Sequence, residues 1–145
     1  MNSEFTIAVH ALVYLNHKKE YVSSEKLAEN ICTNPARVRK IMGKLRKSGL
    51  ITTKEGIIGG YLFEDDPADV SLDMVGKALQ TSYVSASWKS GDSDMDCLVA
   101  SGMAGIMDEI YSDLDDLCRK FLKGITIQTI DQKIFGNHER KGESI

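Results

Sequence analysis

A chain of 145 residues, 42% hydrophobic and 27% charged, has the size and balance of one folded unit that needs no metal or disulfide to hold its core. Its apolar runs are far shorter than the roughly 20 residues of a membrane span, and Met1–Glu4 lack the basic and apolar stretch of a secretory signal, so the cytoplasm is the expected location and no membrane partner is expected. The formal charge of −3 hides a division: residues 24–54 carry Lys26, Arg37, Arg39, Lys40, Lys44, Arg46, Lys47 and Lys54 against Glu25 and Glu29, whereas residues 92–116 carry eight acids and no base. A local basic cluster, not the net charge, sets the field that a polyanion meets.

Phe5, Ala8, Val9, Leu12 and Leu15 recur at three and four, which predicts a helix over 3–17 with Ser3 as a possible cap. A short helix follows over 24–31, with Ser24 as its expected N-cap and Leu27, Ala28 and Ile31 inward. Thr33-Asn34-Pro35 breaks the chain and restarts it, since Asn34 can cap and Pro35 suits a first helical position. The third helix runs to about Ser48 on an apolar face of Val38, Ile41, Met42 and Leu45, and Gly49 ends it.

The period then changes to two. Residues 50–53 and 61–63 are strand candidates, joined by the glycine-rich tip Lys54-Glu55-Gly56-Ile57-Ile58-Gly59-Gly60. Asp66-Pro67 marks a turn, and residues 71–79 read as a helix with Leu72, Val75 and Leu79 inward. Residues 80–96, rich in Ser and Asp, read as a loop in which Trp88 is expected to pack as a satellite anchor. From Met103 a long helix is expected. Met103, Met107, Ile110, Leu114, Leu117 and Phe121 repeat at alternating spacings of four and three, the seam of helix-on-helix packing. Thr129 with Gln132 suggests a capping box and a short helix from about 130. Residues 136–145 read as a polar tail.

The predicted fold is mainly α with a small β wing. Residues 1–66 form a winged helix-turn-helix domain, 67–79 a connecting helix and 80–102 a loop carrying Cys97. Residues 103–135 form the long dimerisation helix and the short C-terminal helix, and 136–145 a flexible tail. The helix from Asn34 to Ser48 is then the recognition helix, long enough to lie in a major groove about 12 Å wide. Arg37, Lys40, Lys44 and Lys47 fall at three, four and three and are expected to form one exposed stripe, flanked by Arg39 and Arg46. Asn34, Ala36, Arg37 and Arg39, near the helix start, are placed for base edges. Lys40, Lys44, Arg46 and Lys47 are placed for phosphates, which add affinity without sequence information. Ser23 and Ser24 at the start of the second helix are candidates for a phosphate. Gly59 and Gly60 let the wing approach DNA closely, with Lys54 and Tyr61 beside them.

Enzymatic readings fail on motif grounds: the chain has no phosphate-loop, zinc-protease or serine-elbow signature. Cys32, Cys97 and Cys118 are odd in number and unrelated in spacing, so they outline neither a disulfide framework nor a zinc site. Cys32 and Cys118 are expected on packed helices. The acidic helix face from Asp108 to Asp116 reads as solvated.

Residues 34–63, above all Lys44-Leu45-Arg46-Lys47-Ser48-Gly49-Leu50 and Gly59-Gly60-Tyr61-Leu62, resemble the Rrf2 family of bacterial winged-helix transcription regulators. That family includes the iron–sulfur cluster regulator, the nitric-oxide-sensitive repressor and the cysteine-metabolism repressor. The resemblance continues through Asp66-Pro67, Ser71-Leu72 and the long helix to Gly124-Ile125-Thr126-Ile127. It implies a homodimer built on the long helix that binds double-stranded DNA at a near-palindromic operator. Two departures stand out. The family wing commonly reads Arg-Gly-Pro-Gly-Gly-Gly-Tyr, whereas here Glu55 takes the basic position and Ile57-Ile58 precede the glycines. Cluster-binding members carry three cysteines before the long helix, whereas here only Cys97 is present, resembling the last of them. One thiolate cannot hold a cluster that normally takes four ligands, so no cofactor and no metal are expected. The expected function is a homodimeric repressor that responds to oxidants through Cys97. The alternatives are a repressor of the same fold that senses a small ligand and a dimeric adaptor that does not bind DNA.

Overall fold

The computed structural model describes residues 3–141. Three helices come first: α1 (Ser3–Lys18), α2 (Ser24–Ile31) and α3 (Pro35–Lys47). Each stop has a local cause. Lys19 and Cys32 take left-handed backbone after α1 and α2, and Gly49 does so after α3. Asn34 accepts the amide of Arg37 at 2.8 Å and Pro35 opens α3, as the break at 33–35 implies. At α2 the expected cap moves by one residue. The hydroxyl of Ser23, not Ser24, accepts the amide of Lys26, and Ser24 is the first helical residue.

The hairpin consists of β1 (Thr52–Lys54) and β2 (Gly60–Leu62), paired antiparallel with Lys54 opposite Gly60. On its other side β2 pairs with Val22, whose N–H and C=O both bond to Tyr61. That second pairing ties the wing to the start of α2. The helices α4 (Leu72–Ala78), α5 (Leu98–Lys123) and α6 (Ile127–Lys141) complete the chain. One core joins them. Val38, Ile41, Met42 and Leu45 of α3 are fully buried with Ala8, Ala11, Leu12 and Leu15 of α1, Val75 of α4 and Ile127 of α6. A short clasp ties the two halves: Leu72 donates to Ile125 at 2.8 Å, and Ile127 donates to Val70 at 3.0 Å.

Four expectations change. The long helix begins at Leu98, five residues before Met103, so Cys97 is its N-cap residue rather than a loop residue. The last helix begins at Ile127, because Thr126 and Thr129 exchange amide-to-hydroxyl bonds of 3.1 Å in each direction, one turn before the expected box. That helix continues to Lys141 through the expected tail, of which residues 142–145 lie outside the described residues. Trp88, expected to pack as a satellite anchor, is 77% exposed and lines a small cavity with Ala104, Met107 and Tyr111 of α5. No helix among the described residues is long and apolar enough to cross a membrane.

Candidate nucleic-acid interface

Because α3 buries the face of Val38, Ile41, Met42 and Leu45, its cations can occupy only the rest of its circumference. They do not form the single free stripe expected. On the shoulder toward α1, the Arg37 guanidinium donates to the hydroxyl of Ser3. Lys44 Nζ lies 3.2 Å from Glu4 Oε2, and Lys40 Nζ lies 3.6 Å from Glu4 Oε1. The Lys44 hydrogen bond, with the charges of Lys44 and Lys40, holds the Glu4 carboxyl below its ordinary range against the opposing effect of burial. Three of the four stripe cations are therefore engaged by one turn of α1.

On the other shoulder the arrangement is open. Arg39, Gly43 and Arg46 of α3 face Ser23, Ser24 and Glu25 at the start of α2 and Thr53, Lys54, Glu55, Gly56, Gly59, Gly60 and Tyr61 of the wing across a groove of about 490 Å³. Arg39 reaches Glu25 at 3.7 Å and the buried hydroxyl of Ser24 at 3.4 Å. Ser24 also donates to Glu25 at 3.2 Å, so its hydroxyl is turned to protein partners rather than to a phosphate. Arg46 is exposed in the same groove. Lys54 sits 5.7 Å from the ring centroid of Tyr21. Burial raises the Tyr61 hydroxyl above its ordinary pKa, with Arg39 acting against this and Glu25 adding to it, so this ring stays neutral beside the cations.

Ala36 is exposed on α3, and so is Lys40, the more distant of the two lysines paired with Glu4. Lys47 sits apart, around a second depression shared with Lys44 and with Lys77 of α4. The structure thus brings together Ser23, Arg39, Arg46, Lys54, Gly59, Gly60 and Tyr61. It turns Arg37 and Lys44 toward α1 and commits the Asn34 side chain to its own helix. Ser3, Glu4, Tyr21, Glu25, Gly43 and Thr53 were missed in the sequence. Gly43 carried a signal of its own, as a glycine inside an amphipathic helix.

A second feature is the outer face of α5. Met103, Ile110, Leu114, Leu117 and Phe121 are all exposed, Leu117 at 62% and Phe121 at 70%, and Met107 is half-buried between them. These residues give a row of partly to largely exposed apolar side chains along α5.

Cys97 is exposed at the start of α5. Its thiol makes no cap hydrogen bond. The nearby amide N–H groups of Ala100 and Val99 nevertheless favour the thiolate and hold its pKa below the ordinary thiol value. Cys32, expected at the end of the second helix as a buried or helix-terminal residue, is helix-terminal and exposed; its left-handed backbone turns the chain and its thiol bonds to the Glu29 carbonyl. Cys118 is half-buried against the core, as expected.

The chain matches the family model Rrf2, described as an iron-dependent transcriptional regulator, over residues 1–133. It is 38% identical over 80 residues to YwnA of Bacillus subtilis (strain 168), assigned as an HTH-type transcriptional regulator, a match spanning 55% of this chain and 59% of that protein. It superposes on a crystal structure from Lactobacillus plantarum, described as a transcriptional regulator, with a TM-score of 0.82, 25% identity and coverage of 99% and 100% of the two chains. T. potens IscR (TM-score 0.67, 18% identity, coverage 92% and 87%) and B. subtilis CymR, the global cysteine regulator (TM-score 0.67, 14% identity, coverage 92% and 96%), share the fold. The donor set of this chain does not fit an iron–sulfur cluster. Cys32, Cys97 and Cys118 occupy the end of α2, the start of α5 and the last turns of α5. Among the described residues no three His, Cys, Asp or Glu side chains converge.

Proposed function

The chain belongs to the Rrf2 family of transcriptional regulators, which are not enzymes, and from that premise we propose that it is a homodimeric repressor that binds double-stranded DNA through the groove between α3 and the wing. The carrying observation is that Arg39 and Arg46, two guanidinium groups seven residues apart on one side of a helix, face Lys54 and a glycine-lined hairpin across an open groove. Arginine can bond guanine O6 and N7 in a bidentate pair, and glycine-lined backbone lets a sugar–phosphate strand come close. Lys40, Lys47 and Lys77 supply further phosphate contacts.

Two copies joined along the exposed α5 seam would present two such grooves to a near-palindromic operator, and their occupancy would block polymerase sterically. Anisotropy on a duplex from upstream of the chain's own gene tests this reading. Tight binding that weakens steeply between about 50 and 200 mM salt is expected. Binding indifferent to salt and sequence would contradict it and favour a dimeric adaptor.

The signal read by the repressor is a thiol oxidant. The Cys97 thiolate attacks a small disulfide, releases one thiol and leaves a mixed disulfide at the N-terminus of α5, next to the seam. Oxidant should release the wild type from DNA and leave Cys97→Ser bound.

A second reading of the signal is favoured by a groove of about 430 Å³ between α1 and α6. Its walls, which include Phe5, Val9, Val13, Leu72, Ile130 and Ile134, are mainly apolar. His10 and Asn30, bonded at 2.7 Å, supply a polar edge. A small apolar effector seated there would contact the winged head and the C-terminal helix together. Under that reading Cys97→Ser leaves regulation intact.

A further inference from the structure

The wing tip is a closed and well-defined turn. The amide of Gly59 donates to the carbonyl of Gly56 at 3.1 Å, which makes Ile57 and Ile58 the two central residues of the turn. The glycines around them are required. Gly56 and Gly60 have φ of +110° and +141°. A Cβ on Gly59 would overlap the Lys54 carbonyl oxygen, and one on Gly60 would overlap that of Val22. Double pairing of β2, to β1 and to Val22, holds the base of the tip.

This rigid base presents two isoleucines to water. Ile57 is fully exposed and Ile58 is 80% exposed. Branched apolar side chains are poor choices for the centre of a tight turn, where Gly, Asn, Asp and Pro each have a physical advantage. They add nothing to the core. The same hairpin lines the groove with Lys54, Glu55, Gly56, Gly59 and Gly60, so the apolar tip continues the surface that carries Arg39 and Arg46. Residues 55–60 contain an acid, Glu55, and no base. The tip therefore offers a duplex no charge attraction of its own. It offers an apolar wedge, and a minor groove about 6 Å wide, walled by deoxyribose, accepts wedges of this kind.

We propose that Ile57 and Ile58 enter the DNA minor groove beside the recognition helix as an apolar wedge that opens and bends the duplex, with a preference for flexible pyrimidine–purine steps such as TA. This inference rests on the DNA-binding reading above and adds the chemistry of the wing contact.

The test is the double variant Ile57→Ser/Ile58→Ser on the duplex bound by the wild type. Anisotropy across a salt series is read together with energy transfer between dyes at the two duplex ends. Both side chains are largely exposed, so the thermal midpoint should move little. The expected result is affinity lower by about tenfold, an unchanged slope of log affinity against log salt, and a loss of end-to-end shortening. Lys54→Ala, the electrostatic control, should instead reduce the salt slope by about 1. A double variant that binds and bends DNA like the wild type overturns the wedge and leaves the isoleucines to a protein partner. A loss of affinity that comes with a shallower salt slope overturns it in favour of a disrupted charge contact. Failure of the wild type to bind any duplex overturns the DNA-binding reading, and the wedge with it.

Discussion

Lys44 and Glu4 are forty residues apart in sequence, yet Nζ of one lies 3.2 Å from Oε2 of the other. The pair fastens the first turn of α1 across the side of α3, and Lys40 joins the same carboxylate. It is partly exposed, so its contribution to stability is small, at most about 1 kcal/mol. An effect of similar size on DNA binding is expected, because one carboxylate offsets two cations beside the proposed DNA surface.

Glu4→Gln should therefore tighten DNA binding several-fold and steepen its salt dependence, with little change in the thermal midpoint. Anisotropy at two salt concentrations reads both effects. Weaker binding in this variant would mean that Glu4 positions its lysines rather than competing for them.

Gly43 separates stability from recognition. A Cβ at this position meets no atom within 4 Å, and its helical backbone needs no glycine. Gly43→Ala should stabilise the free protein by about 0.5–1 kcal/mol, since glycine is a poor residue inside a helix. Yet Gly43 lies between Arg39 and Arg46 on the groove. The added methyl should hinder close approach of DNA and lower affinity while the thermal midpoint rises.

Asp115 fixes the loop before α5. Its Oδ1 accepts the amides of Tyr83 at 2.6 Å and Val84 at 2.9 Å, and its Oδ2 accepts from Arg119 at 3.1 Å. Burial alone would raise this carboxyl, but those amides and the guanidinium hold it below its ordinary 3.8. The stabilisation is present in full above about pH 4 and is lost as pH falls through the lower folded value. Asp115→Ala leaves two amides unpaired and should cost about 1–3 kcal/mol at neutral pH. Urea unfolding at a series of pH values should show a shallower acid loss in the variant than in the wild type.

The α5 seam is testable by charge. Leu117→Glu/Phe121→Glu changes two exposed side chains, so the folded monomer should survive. Sedimentation should show a dimer for the wild type and a monomer for the variant. Operator affinity should fall as dimerisation is lost, because each half-site is then bound alone. A variant that stays dimeric would move the interface elsewhere.

Much of the winged head was legible because its signals are local. Asn34-Pro35 sets the start of α3, Val38, Ile41, Met42 and Leu45 set its buried face, and the glycines of the tip set the hairpin. The seam from Met103 to Phe121 was legible as a period. The partners of the cations were not. Nothing in the local pattern links residue 4 to residues 40 and 44, and a basic stripe drawn on a helical wheel cannot tell which shoulder another helix occupies. The start of α5 was hidden because Leu98 and Val99 lie outside the seven-residue repeat. The start of α6 was hidden because two threonines cap each other where a Thr and Gln pair one turn later looked equally suitable.

The most direct measurement compares Arg39→Ala with Arg37→Ala on one operator duplex. Both remove a guanidinium from the first turns of α3, but Arg39 faces the groove, where it pairs with Glu25, and Arg37 is turned away from it to Ser3 of α1. Arg39→Ala should cost about 1–3 kcal/mol and relax preference at one base pair, with Arg37→Ala close to the wild type in specificity. A reversed order, with Arg37→Ala the more damaging and Arg39→Ala nearly neutral, would contradict a DNA surface centred on the groove between α3 and the wing.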